Sequence, residues 1–202
     1  KNSTTDLAGG DFALETDTGS NTGTGHTLGT GLTAAGGSGS MDLSCGSCHD
    51  PHGNSNYRIL DTDVNGVSSI VVSGTEDADW ERTVSATDHN LYSSGMVTFC
   101  GACHTDFHGT ANTGAASPFQ RHPQDETGIE ATASLVGSYD PDIPVEDPNA
   151  TDPATYTVSA ANSEVFCLSC HRAHASANDD AGRWDFTVAS GADDNCNACH
   201  DK

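Results

Sequence analysis

Apolar positions along this chain come in short runs. The longest β-like stretch is Ile70-Val71-Val72, far below the ~18 residues a membrane span requires. Tyr57-Arg58-Ile59-Leu60 and Val67–Val72 flank Asp61-Thr62-Asp63-Val64-Asn65-Gly66. An Asn-Gly pair between β-rich runs predicts a hairpin. Helical turns are expected only beside the cysteine-bearing segments and at Ala78–Arg82. Residues 137–156 hold four prolines (Pro141, Pro144, Pro148, Pro153) and five acids, which predicts a surface loop. Residues 1–44 read as an irregular Gly/Ser/Thr-rich arm, with ten glycines between Gly9 and Gly39, and residues 45–202 as the domain proper.

Composition sharpens this. Only 34% of the 202 residues are hydrophobic and 6% aromatic. A chain this polar buries little apolar surface per residue, so it is expected to need help to fold. Twenty-nine acids against seven bases give a net charge of −22. Such a charge disfavours nucleic acid and anionic membrane surfaces as partners, and solubility in a salty medium is its simplest use. The chain starts at Lys1 without a methionine, which reads as a processed end left after export through the periplasm.

The eight cysteines decide the chemistry. All fall in four motifs: Cys45-Gly-Ser-Cys48-His49, Cys100-Gly-Ala-Cys103-His104, Cys167-Leu-Ser-Cys170-His171 and Cys196-Asn-Ala-Cys199-His200. This is the haem c attachment pattern. Two thiols on one helical turn each form a thioether to a haem vinyl, and the adjacent histidine is held beneath the ring as an axial ligand. Zinc sites and thioredoxin-like dithiols also use Cys-x-x-Cys but do not require the histidine. Histidine fills 10 of 202 positions, so four chance occurrences together come to about one in 10⁵. Four covalent haems are expected, in local modules whose first cysteines lie 55, 67 and 29 residues apart.

Four irons leave four sixth positions. Outside the motifs stand His26, His52, His89, His108, His122 and His174. His52, His108 and His174 each follow a motif by three or four residues. Three residues span at most about 10 Å, too short a path to round the macrocycle, so each would reach a different haem. His26, His52, His108, His122 and His174 are five candidate ligands for four vacancies. His89, in Thr-Asp-His-Asn, reads as a solvated turn. Arg121, Arg172 and Arg183 are candidate partners for haem propionates. Asp61, Asp63, Asn65 and Gly66 match the start of a Ca2+ loop, but Val72 stands where a bidentate Glu belongs, and a hairpin turn explains the segment better. Asn2-Ser-Thr and Asn149-Ala-Thr151 are glycosylation sequons.

Leu43–Gly53, Phe99–His108, Arg121-His122-Pro123, Cys167–His174 and Arg183-Trp184-Asp185 together resemble the doubled-CXXCH multihaem c-type cytochromes. With four haems in this length, the chain is most similar to extracellular tetrahaem nanowire subunits of the OmcE type, over roughly residues 26–202. That resemblance implies a mostly irregular, haem-organised fold with short helices at the CxxCH motifs and one or two β-hairpins. It also implies head-to-tail homopolymers whose haems alternate stacked and T-shaped contacts, with an axial histidine crossing the subunit boundary. His26, which precedes every motif, is the candidate for that crossing, with ligation of its own chain's first haem as the alternative.

The expected function is electron conduction by an extracellular filament, with redox partner cytochromes or extracellular acceptors at its ends. A monomeric periplasmic shuttle is the alternative. An enzyme with one open haem site is disfavoured, because candidate histidines outnumber vacancies.

Overall fold

A computed structural model describes residues 25–26, 28–37, 39–77, 84–107, 128–176, 178, 181–184 and 198–200. Among them, two short antiparallel hairpins supply the β-structure. Strand β1 (Gly29–Leu32) pairs with β2 (Met41–Leu43), and β3 (Ser73–Thr75) pairs with β4 (Leu91–Ser94). Two short helices follow, α1 (Met96–Gly101) and α2 (Cys167–Cys170), with 3-10 turns at Cys45–Ser47, Tyr57–Ile59 and Thr105–Phe107. Both α-helices and the turns at Cys45–Ser47 and Thr105–Phe107 thus sit in or beside cysteine motifs, as the sequence predicts, and Tyr57–Ile59 does not. The Ala78–Arg82 turn lies outside the described residues.

The expected hairpin over residues 57–72 does not form. Only its Asn-Gly turn survives, as a single bridge between Val64 and Val67 with Asn65 and Gly66 at φ of 48° and 83°. Upstream, Tyr57–Ile59 curls instead of extending, and Arg58 and Ile59 take φ of 56° and 50°. The payoff is local pairing: Tyr57 N–H donates to Val72 O, and Asp61 N–H to Cys48 O. Tertiary contacts with the first motif outweigh the β propensity of this run. The acidic turn is held by its own groups, with Asp63 N–H donating to Asp61 Oδ1, as an Asx turn requires.

Polar composition does not preclude an interior. Two apolar clusters are buried. One gathers Tyr57, Leu60, Val72, Tyr92, Val97 and Phe166 against Cys48, Cys100, Cys103 and Cys167. The other gathers Leu91, Leu135, Tyr139, Ile143, Val145 and Val165 against Cys199 and Trp184. Residues 137–156 are therefore a surface loop only in part: Tyr139, Ile143, Val145 and Asp147 are buried, while residues 148–149, 151–152 and 154–155 are exposed. The prolines prevent strand or helix there without preventing burial.

A thin wall divides the clusters. Leu91 faces the second and Tyr92 the first, as do Val165 and Phe166, because successive residues of extended chain point to opposite sides. Glu146 completes the wall, bridging to Tyr92 and to Glu164, and its carboxylate accepts from Met96 N–H at the start of α1. Behind it Asp147, 1% exposed, accepts from Ser163 Oγ at 2.8 Å and Tyr156 O–H at 3.0 Å. A buried carboxylate without a cation is tolerable only with donors of this kind.

Candidate haem-attachment and axial-ligand site

Each described motif is a local turn whose sequence explains its geometry. His49 N–H donates to Cys45 O, His104 N–H to Cys100 O and His171 N–H to Cys167 O, all between 3.0 and 3.1 Å. One helical hydrogen bond therefore holds both cysteines and the histidine of a motif in register, the arrangement that double attachment to one haem needs. In two motifs the residue before the second cysteine is a serine that caps the turn. Ser47 Oγ accepts from Ser44 N–H and Ser169 Oγ from Phe166 N–H. Ser169 also donates to Pro144 O at 2.6 Å, tying α2 to the second cluster. Nothing in the haem pattern itself calls for those serines.

The first three motifs converge. Burial, with Cys103 close by, pushes the Cys48 thiol up to about 11. A hydrogen bond to Cys167, then burial, pushes Cys100 well above its ordinary value. Cys103 is also raised by burial. None of these thiols is lowered in the way the reactive thiol of a redox dithiol is. Among the described residues no cluster of three or more His, Cys, Asp and Glu side chains is arranged to hold a bare metal ion.

The histidines are aimed by their surroundings. His49 Nδ1 donates to Arg58 O at 2.9 Å, His104 Nδ1 to Ala35 O at 2.8 Å and His26 Nδ1 to Ala173 O at 2.7 Å. His200 Nδ1 lies 3.5 Å from Glu130 Oε1. A backbone carbonyl or carboxylate on Nδ1 fixes the tautomer and leaves Nε2 its lone pair, the usual preparation of a metal-ligating histidine. The left-handed pair Arg58–Ile59 serves this purpose. It turns Arg58 O toward His49 Nδ1 and Ile59 O toward Asp50 N–H. Such backbone costs about 1–2 kcal/mol per residue, and it persists where the first motif is gripped.

Two imidazole pairs result. His26 and His104 have ring centroids 5.8 Å apart, and His49 and His174 have theirs 6.2 Å apart. An iron between two imidazoles sets their centroids about 6 Å apart, from two metal–nitrogen bonds of about 2 Å and two half-rings of about 1 Å. Both pairs fit a bis-histidine haem. His174 stands opposite the first motif's histidine and not that of its own neighbouring motif, as the short connection demands. Desolvation, then the neighbouring His49 and His26, lowers its pKa to about 4, so its ring is neutral at pH 7. His26 is likewise lowered by desolvation of its ring.

His26 is not extended away from its own chain. Its N–H donates to His174 O, and Gly25 bridges to Ala175, where a Cβ would stand 2.5 Å from Ala175 Cβ and His174 O. The sequence assigns His26 to the next subunit or to the first haem; within this chain its ring stands beside that of His104 in the second motif. The arm's Gly36 O also accepts from Asp106 N–H, so the described part of the arm lies on the body. His52 is exposed in a turn capped by Asp50, and no proximal histidine ring stands opposite it among the described residues. His108, His122, Cys196 and Arg121 lie outside the described residues. His89 is not a solvated turn: it is 1% exposed and stacks on Tyr139, with centroids 3.8 Å apart.

No protein-family model matches the chain. It is 28% identical, over 239 aligned positions, to the C-type cytochrome OmcS of Geobacter sulfurreducens, covering 81% of this chain and 54% of the relative. Two solved structures have the same fold. The Outer Membrane Cytochrome S filament of Geobacter sulfurreducens superposes with a TM-score of 0.70 at 24% identity, over 90% of this chain and 66% of that one. The OmcS nanowires of the same organism give 0.58 at 26% identity, over 77% and 55%. The chain spans about half the length of the curated relative it matches. Its mostly irregular backbone, short helices and two small hairpins are the multihaem cytochrome fold of an OmcS-like protein.

Proposed function

We propose that this chain is a tetrahaem c-type cytochrome subunit of the OmcE type that polymerises head to tail into an extracellular filament conducting electrons through bis-histidine haems. The observation that carries the reading is the pair of imidazole couples at 5.8 and 6.2 Å, each joining a motif histidine to one from a distant segment. Haem c supplies a one-electron Fe(III)/Fe(II) couple. The chain's own residues attach, orient and insulate it. Cys45/Cys48, Cys100/Cys103, Cys167/Cys170 and Cys196/Cys199 are the attachment pairs, and His49, His104, His171 and His200 the proximal ligands. His174 and His26 are distal ligands for the first and second motifs. His52, His108 and His122 remain candidates for the others.

Histidine on both sides of an iron leaves no position for substrate, so the chain is an electron carrier and not an enzyme. Polymerisation is supported by the filaments that the OmcS structures are named for. Among the described residues no helix is long and apolar enough to cross a membrane, and the −22 charge suits an aqueous exterior. Arg172 and Arg183 flank the third motif, where Arg183 N–H donates to Cys170 O, and they are placed to meet propionates.

The test is purified holoprotein, weighed for haem content, scanned for spin state and imaged. Four haems per chain, all low-spin, in filaments support the reading. Four low-spin haems on discrete particles in every buffer favour the monomeric shuttle instead. Ready CO binding by the reduced wild type would reveal an open iron and restore the enzyme reading.

A further inference from the structure

The fourth motif differs from the first two in what stands behind its histidine. His49 Nδ1 and His104 Nδ1 donate to the carbonyls of Arg58 and Ala35, at 2.9 and 2.8 Å. His200 Nδ1 instead lies 3.5 Å from Glu130 Oε1. A carbonyl offers a dipole, whereas an ionised carboxylate offers a full negative charge.

The backbone holds this contact in place. Glu130 N–H donates to Cys199 O, one residue from His200, and Leu135 N–H donates to Ala198 O, both at 3.1 Å. Ala133 N–H closes the turn between them on Glu130 O at 2.9 Å. Ile129, Ala133 and Leu135 are buried in the same apolar cluster as Ala198. Residues 129–135 thus form a strap along the fourth motif. A carboxylate whose own backbone is fixed there gives up little freedom in reaching the imidazole. The two side chains are 41% and 50% exposed, so water moderates their interaction.

The chemistry of such a pair has a definite sign. When Nε2 is given to iron, the proton sits on Nδ1 and faces the carboxylate. Sharing that proton pushes electron density through the ring and makes the imidazole a more basic ligand. A more basic ligand favours Fe(III) over Fe(II) and so lowers the potential. The negative charge acts directly in the same sense, since it stabilises the more positive iron.

We propose that Glu130 is a positioning residue for the haem of Cys196/Cys199, and that its carboxylate makes this haem more reducing than those of the first and second motifs. The proposal deepens the electron-transfer reading above and rests on it. In holoprotein with four haems per chain, Glu130→Gln removes the charge and keeps both the length of the side chain and the backbone bond to Cys199. One of the four midpoint potentials is expected to rise. The expected size is about tenfold in the reduced-to-oxidised ratio of that haem, which is about 59 mV for one electron. The other midpoints and the low-spin spectra are expected to stay as they are. Glu130→Asp, which keeps the charge, is expected to lie between the wild type and Glu130→Gln. Unchanged midpoints in Glu130→Gln, with or without a lower melting temperature, would overturn the proposal and leave Glu130 a structural strap. If neither variant loads four haems, a haem-resolved NMR redox titration of the wild type decides. A haem at Cys196/Cys199 that titrates below those at Cys45/Cys48 and Cys100/Cys103 supports the proposal, and one that titrates above either overturns it. A wild type with no haem at Cys196/Cys199 would refute the underlying reading without any variant of Glu130.

Discussion

At the scale of single residues, the contacts that matter are those that aim an imidazole. Replacing His174 by alanine is expected to leave the first motif's iron five-coordinate, seen as one high-spin, CO-binding haem per chain. His26→Ala should do the same at the second motif. Gly25→Ala reaches that site indirectly. Its Cβ would overlap Ala175 and the His174 carbonyl, so the short pairing that seats His26 is expected to open. A Gly25→Ala protein with an unchanged spectrum and melting temperature would show that this pairing does not position His26. Asp147 offers a test away from the irons. Ser163→Ala removes an O–H donor from a buried carboxylate, and about 1.5–3 kcal/mol of stability is expected to go with it, measured by thermal melting of the holoprotein.

Among elements, the helical turns of the motifs depend on residues the attachment pattern does not name. Ser169 is fully buried and joins Phe166 N–H to Pro144 O. Ser47 makes the equivalent cap in a more open setting. Ser169→Ala is therefore expected to lower the melting temperature more than Ser47→Ala, since only the former strands two buried backbone groups. Helix α1 has a similar dependence at its start. Gly95 has a φ of 89°, and a side chain there would overlap Val71 O. Gly66, at 83°, has open space around it. Both alanine substitutions carry the left-handed cost of about 1 kcal/mol, but only Gly95→Ala adds a backbone clash. Equal losses of stability would show that the contact with Val71 is not what holds α1.

For the whole molecule, charge and haem dominate. A net charge of −22 on 202 residues, deepened by propionates, opposes the approach of like surfaces over a screening length of about 8 Å at physiological salt. Filament assembly is expected to strengthen from about 10 mM to about 500 mM salt, and further with divalent cations. Light scattering that does not change across that range would remove electrostatics as the control. Apo-protein made without haem maturation is expected to show no cooperative melting by circular dichroism, because two small clusters in so polar a chain have little margin. A cooperative transition in that material would mean the clusters suffice by themselves.

The division between sequence and tertiary structure follows from the range of each interaction. Haem attachment is covalent chemistry at fixed spacing, so the eight cysteines and four adjacent histidines are candidates that sequence offers directly, and the turns expected at the first three motifs form. The short connection argues against His174 capping an iron beside His171, and its ring stands 6.2 Å from that of His49. Ring pairing could not be read, because His26 meets His104 across 78 residues of chain through hydrogen bonds to carbonyls that any residue could supply. The burial of Tyr139, of residues 143–147 and of His89 was hidden for the same reason. Their prolines, acids and Asp-His-Asn pattern signal turns, and turn chemistry describes the backbone, not what packs over it. Local bonding marks where haem would attach; only the convergence of distant segments decided which of the described histidines stand opposite one another.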